Sequence, residues 1–232
     1  RTGGTGSVAI DWSEILSQSA DLAPTGRDIR LLVIVARALA NAEGFDGMRQ
    51  GLDLLTSTVD QHWDTVHPVL REAASPREAA TRRINALFQL ENSDNGLLCD
   101  LEFATVLSPR GIGPVTVGDL CAGGLTRNQA QTELPSGLGE KEMTELLSRH
   151  EARANRVTAA CRAQAIERPE EMAALTQSVE AVRTALAALE AVFLAHIDFV
   201  AKHPGVPRMM FGELQGAERT PAERVAREVM RR

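Results

Sequence analysis

The sequence predicts an all-α protein, a multi-helix bundle with a long C-terminal helical hairpin and little or no strand. Three observations predict it. Apolar residues recur at three- and four-residue spacing through most of the 232 residues. Capping residues and prolines stand at the starts of these stretches, with glycine at a stop. The best strand candidate, Val115-Thr-Val117, is held very short by Gly113-Pro114 and Gly118.

The elements follow in order. Residues 1–10, opening Arg1-Thr-Gly-Gly-Thr-Gly-Ser7 without Met, look like an expression remnant and lead-in, with the true start upstream. Trp12, Ile15, Leu16 and Ser19 form a short helical stripe that Asp11 can cap. After the turn at Ala23-Pro-Thr-Gly26, a helix is expected from Asp28 to Glu43, closed by Gly44. Another spans Asp46 to Trp63, with Leu52, Leu55, Val59 and Trp63 on one side and Pro68 beyond it. A fourth runs from Pro76 to Glu91, with Ala80, Ile84, Leu87 and Phe88 as its apolar stripe.

From 92 to 139 the pattern is less regular. Leu97 to Val106 reads equally as helix or strand. Residues 123–139, polar and holding Pro135, Gly137 and Gly139, read as a linker. Two long helices follow, over about 140–167 and 169–202, joined at Arg168-Pro169 as a hairpin. The second would span about 50 Å at 1.5 Å per residue. Thr220 and Glu223 stand at capping-box spacing and open a last polar helix. The expected organisation is therefore a helical domain over 11–122, a linker over 123–139, and the hairpin with its terminal helix over 140–232.

Composition excludes several functions. A net charge of -6 argues against a duplex-binding surface, and the terminal cluster Arg224, Arg227, Arg231 and Arg232 reads as a solvated helix face, so no nucleic-acid partner is expected. No apolar run approaches the roughly 18 residues of a membrane span, so no membrane insertion is expected. Cys99, Cys121 and Cys161 are too few and too widely spaced for a disulfide framework or a zinc motif, and fit a reducing compartment.

Reaction chemistry is also missing. His62 and His67 are five apart, on different sides of a helix, and no Glu stands in an HExxH frame. His196 and His203 share a face but sit two turns apart with no third ligand. These histidines read as polar-rim residues. Gly3-Gly4-Thr5-Gly6 has neither the following Lys-Ser/Thr of a P-loop nor a preceding strand. There is no GxSxG elbow, and Cys161 falls in an apolar helix stripe as a small core residue. The reading is a non-enzyme with no catalytic residue, metal or cofactor.

Five ordered pieces carry a family resemblance. They are Asp11-Trp12-Ser-Glu-Ile-Leu16, Gly26-Arg-Asp-Ile-Arg30, Glu43-Gly-Phe-Asp-Gly47, Gly51-Leu-Asp-Leu-Leu55 and His62-Trp-Asp-Thr-Val-His-Pro68. Arg83-Ile-Asn-Ala-Leu87 adds a sixth. Together they resemble the ImpA N-terminal family of the TssA component of type VI secretion systems, with Ile29, Met48 and His62 as departures from its usual residues. The resemblance covers 11–120 well, and 140–200 only in general helical character.

It implies a cytoplasmic structural protein that docks to baseplate, sheath or inner-tube proteins of the secretion apparatus. The family also carries a ring-forming C-terminal domain, for which this sequence shows no equivalent. The motif residues Trp12, Arg27, Asp28, Arg30, Gly44, Gly47, Gly51, Leu52, Trp63, Asp64, Pro68 and Asn85 are expected to serve architecture. Gly44 and Gly47 suit a tight helix joint. Trp63 suits a cover over it, its indole N–H seeking a polar partner.

A second resemblance lies in the tail. Phe193 to Leu214 looks like the helix-loop-helix of effector domains in TetR-type regulators, although the chain has no Tyr and no DNA-reading module. That alternative, a helical small-molecule-sensing domain, requires an enclosed apolar cavity between Phe193 and Met210. Self-association through Met209, Met210 and Phe211 would make a homo-oligomer.

Overall fold

A computed structural model describes residues 10–70 and 75–202. The predicted terminal helix and Met209 to Phe211 lie outside the described residues. The described chain is almost wholly helical: α1 (Trp12–Leu22), α2 (Ile29–His62), α3 (Pro76–Glu91), α4 (Leu97–Phe103), α5 (Val117–Gly124), α6 (Arg127–Thr132), α7 (Glu140–Glu167) and α8 (Pro169–Lys202). The strands β1 (Thr105–Leu107) and β2 (Val115–Thr116) form one antiparallel pair.

Local chemistry sets the starts. Asp11 accepts from the Glu14 N–H at 3.0 Å, Asp28 from the Arg30 N–H at 2.8 Å, and Ser75 from the Glu78 N–H at 3.3 Å. α2 folds on itself at Gly44, whose φ of 65° is a left-handed conformation that glycine adopts without strain. The two expected helices are therefore two arms, 29–43 and 45–62.

The arms touch along small residues. A Cβ on Gly47 would stand 2.1 Å from the Leu39 carbonyl oxygen, and one on Gly51 would stand 2.4 Å from the Ala36 Cα. Contacts that step forward on one arm and back on the other describe an antiparallel hairpin. Only glycine permits this approach.

Two apolar clusters result. The larger gathers Ile29, Val33, Leu52, Leu55, Val59, Trp63, Val66 and Leu97 with Val182, Ala185, Leu189 and Phe193 of α8. Each fully buried Leu or Ile contributes about 1.5–3 kcal/mol. The smaller joins Leu107 and Val115 to Val157 and Ala160 of α7, with Cys161 packed against it.

Three elements differ from expectation. Val117 is not strand but the first residue of α5, whereas Leu97 to Val106, left open between helix and strand, is first helix and then strand. The segment expected as a linker holds α6, capped by a reciprocal Thr126–Gln129 pair. The third difference concerns the hairpin. α8 lies chiefly on α2, while α7 lies chiefly on α5. The arms part along their length: Met172 and Leu175 at the start of α8 still pack on the smaller core with α7, whereas Val182 to Phe193 pack into the larger one. The C-terminal half of α8 completes the core of the N-terminal helices.

Candidate functional site

Trp63 closes α2 and occupies the centre of the larger core, 6% exposed. Phe193 meets it edge-on at 5.6 Å between ring centroids. The His196 ring stacks on it at 4.4 Å and 3°, and the Arg83 guanidinium lies over it at 4.6 Å. Three side chains from two helices, α3 and α8, thus converge on one indole at the end of α2.

Arg83 is the least expected member, a cation with 0% exposure. Its Nε donates to the Pro68 carbonyl at 2.8 Å and an Nη to the Val66 carbonyl at 2.7 Å, so it ties down the chain leaving α2. Burial pushes its pKa down to about 10, against the upward pull of Asp64. Among the described residues, the other Nη and the Trp63 indole N–H have no acceptor. The polar partner expected for the indole N–H is thus not found there, and the ring itself is packed by other rings and by the guanidinium. Burial likewise lowers the His196 pKa, while Asp60 and Asp64 pull it up. His196 is half-buried in this stack rather than a polar-rim residue.

The sequence contained a sign of this. Ala80, Arg83 and Leu87 share a helix face at i, i+3 and i+7, so the arginine interrupts an apolar stripe. The expected stripe Ala80, Ile84, Leu87 and Phe88 is corrected by this rotation. Ala80, Arg83 and Ala86 are buried, whereas Ile84 and Phe88 are exposed.

The other motif residues fall nearby. His67 N–H donates to the Arg27 carbonyl, and Ile29 N–H to the His67 carbonyl, both at 2.8 Å, so two separated motifs pair as backbone. The His67–Pro68 bond is cis. Arg30 pairs with the Asp28 carboxylate at 2.5 Å and holds its pKa below the usual range. Trp12, half-buried, carries the Arg37 guanidinium 5.3 Å from its ring centroid, and Arg37 in turn pairs with Asp100. Leu52 is fully buried and Asp64 exposed. Asn85 is exposed and lines an open groove with Arg30, Ile34, Pro68 and Val69.

A second groove, about 860 Å³, runs between α3 and α8. Its floor is Met48, Leu52 and Leu97, and its walls carry Phe88 and Leu194, 57% and 58% exposed. Among the described residues, no three His, Cys, Asp or Glu side chains come together as a metal site. No described helix is long and apolar enough to cross a membrane.

Comparison with known proteins places this arrangement. The family described as ImpA, N-terminal, type VI secretion system matches residues 3–92. The type VI secretion system component TssA1 of Pseudomonas aeruginosa is 31% identical over 127 residues, covering 54% of this chain and 36% of that protein. The chain thus spans about a third of that relative's length.

A solved structure is also similar: the N-terminal domain, including the conserved ImpA_N region, of the TssA component from Burkholderia cenocepacia. It matches with a TM-score of 0.55 at 20% identity, over 87% of this chain and 72% of that one. At that identity the likeness shows the fold, and its extent carries the shared fold past residue 120 into the second half. Residues 3–92 thus match the ImpA N-terminal family of type VI secretion, and the three comparisons together indicate a TssA-like protein.

Proposed function

We propose that this chain is a non-catalytic assembly module that docks in the cytoplasm to baseplate, sheath or inner-tube proteins of a type VI secretion system. One observation carries the reading. Asp28 caps α2, Gly47 and Gly51 pack against the facing arm of α2, and Trp63 is met by α3 and α8, so these motif residues are spent on packing and capping and not on an open reactive cleft. Their work is to fix the shape of the bundle, and outward helix faces are left for partners. Trp12, Arg27, Arg30, Gly44, Leu52, Asp64, Pro68 and Asn85 are proposed to share that architectural role.

The effector-domain alternative requires an enclosed cavity. On the Phe193 side, the described residues form an open groove instead, and this favours assembly. The test is capture of purified baseplate, sheath and tube proteins by the immobilised full chain. Saturable capture of at least one is expected. No capture of any, with an unchanged helical circular-dichroism spectrum, would contradict the reading.

A further inference from the structure

Among the described residues, the outer side of α8 carries an uncovered stripe of alternating chemistry. Val179, Arg183, Leu186, Glu190 and Leu194 are all exposed and follow at spacings of four, three, four and four. At helical spacing they fall within an arc of about 80°. That arc lies beside the face that Val182, Ala185, Leu189 and Phe193 bury in the larger core. From Arg183 onward the stripe forms one wall of the apolar groove, and Ile84 and Phe88 of α3 stand on the other. Exposed apolar surface gathered in this way marks a binding surface.

The stripe is its own complement when reversed. Arg183 and Glu190 are equally distant from a point between Leu186 and Ala187, and so are Val179 and Leu194. A second α8 laid antiparallel about that point sets Arg183 against Glu190 twice and Val179 against Leu194 twice, with the two Leu186 side chains near the axis. Parallel pairing in register would instead oppose Arg183 to Arg183 and Glu190 to Glu190. Arg183 donates to Glu180 through Nε at 2.9 Å and one Nη at 2.5 Å, which leaves N–H groups for a further carboxylate. Glu190 is in no ion pair among the described residues.

We infer that this face binds a second copy of the chain, in a two-fold dimer whose α8 helices run antiparallel. Each α8 lies along the groove of the other copy and covers Ile84 and Phe88 there. The charge pairs set direction and register, and the apolar positions supply the burial. An unrelated helix need not carry the charges in reversed order, whereas a second copy always does. The inference does not depend on the assembly reading.

The experiment uses the full chain. In sedimentation equilibrium the mass should rise with concentration from that of one chain to that of two. A single-chain mass up to the millimolar range would overturn the proposal. Arg183→Glu and Glu190→Arg each bring like charges together at both pairs, and each should weaken the dimer by about tenfold or more, with helical circular dichroism unchanged. The double variant Arg183→Glu, Glu190→Arg restores opposite charges and should regain most of the lost affinity. Singles that associate as the unaltered chain does, or a double variant no tighter than the singles, would overturn it. As a second reading, chains carrying Val179→Cys are mixed with chains carrying Leu194→Cys and treated with a short bismaleimide. Mass spectrometry should find residues 179 and 194 bridged between chains, and absence of that bridge would overturn the antiparallel pairing.

Discussion

The two apolar clusters of this molecule are held by different means. The larger closes around Trp63, with aromatic, cationic and aliphatic side chains from α2, α3 and α8 buried together. The smaller, beneath β1, β2 and α7, has few large buried side chains and relies on caps and ion pairs at its margin. Thr116 and Asp119 cap α5 reciprocally, and Asp119 meets Arg156 at 2.7 Å and Arg153 at 3.7 Å. The Arg168 guanidinium reaches the Ser108 carbonyl at 3.1 Å. A core of large interlocking groups is sensitive to a single truncation, whereas a cluster rimmed by separate polar contacts loses stability in small steps.

That contrast is sharpest at Trp63. Trp63→Ala removes the surface on which Phe193, His196 and Arg83 converge, and should cost about 3–5 kcal/mol. Urea denaturation would register it as a lower midpoint. Gly51→Val comes next. Its side chain would press on the Ala36 backbone, and overpacking of this kind costs about 1–3 kcal/mol. A smaller loss than Gly51→Ala in the same assay would refute the close-approach account.

Thr116→Ala probes the other region. It removes one cap, worth about 1 kcal/mol, and should lower the melting temperature by only a few degrees. A loss as large as that of Trp63→Ala would erase the contrast between the regions.

The smallest effect is a pH dependence. Burial lowers the folded pKa of His196 from its ordinary value of 6.5, so the unfolded chain binds the proton more readily. Stability from this group is complete above pH 6.5 and falls as pH drops through it, levelling below the folded value. Thermal melts between pH 7.5 and 5 should show that slope, and His196→Gln should reduce it. Trp63, Arg83, Asp60 and Asp64 are the groups facing His196, and an unchanged slope would move the effect to one of the acids.

Much of the larger region was legible in sequence because periodic stripes and short caps are local signals. The ends of α3, α7 and α8 follow from Ser75-Pro76, Gly139 and Pro169. The convergence at Trp63 was not legible, because it joins residues 63, 83, 193 and 196, and sequence separation hides which faces meet. Arg83 was visible only as a charge in an apolar stripe. The parting of α7 from α8 was hidden for a related reason. A helix break signals a hairpin, but not whether its arms pack on each other or elsewhere. In the smaller region, α6 was masked by its polar composition, although Thr126 and Gln129 stand at capping-box spacing.

The central claim is that the C-terminal half of α8 belongs to the same cooperative core as α2, with Trp63 as the joint. Native-state hydrogen exchange at increasing urea tests it residue by residue. The account predicts that amides of 48–59 and 182–193 open together, at one free energy, and that Trp63→Ala lowers both equally. Residues 182–193 opening with 147–160 of α7, and independently of α2, would contradict it.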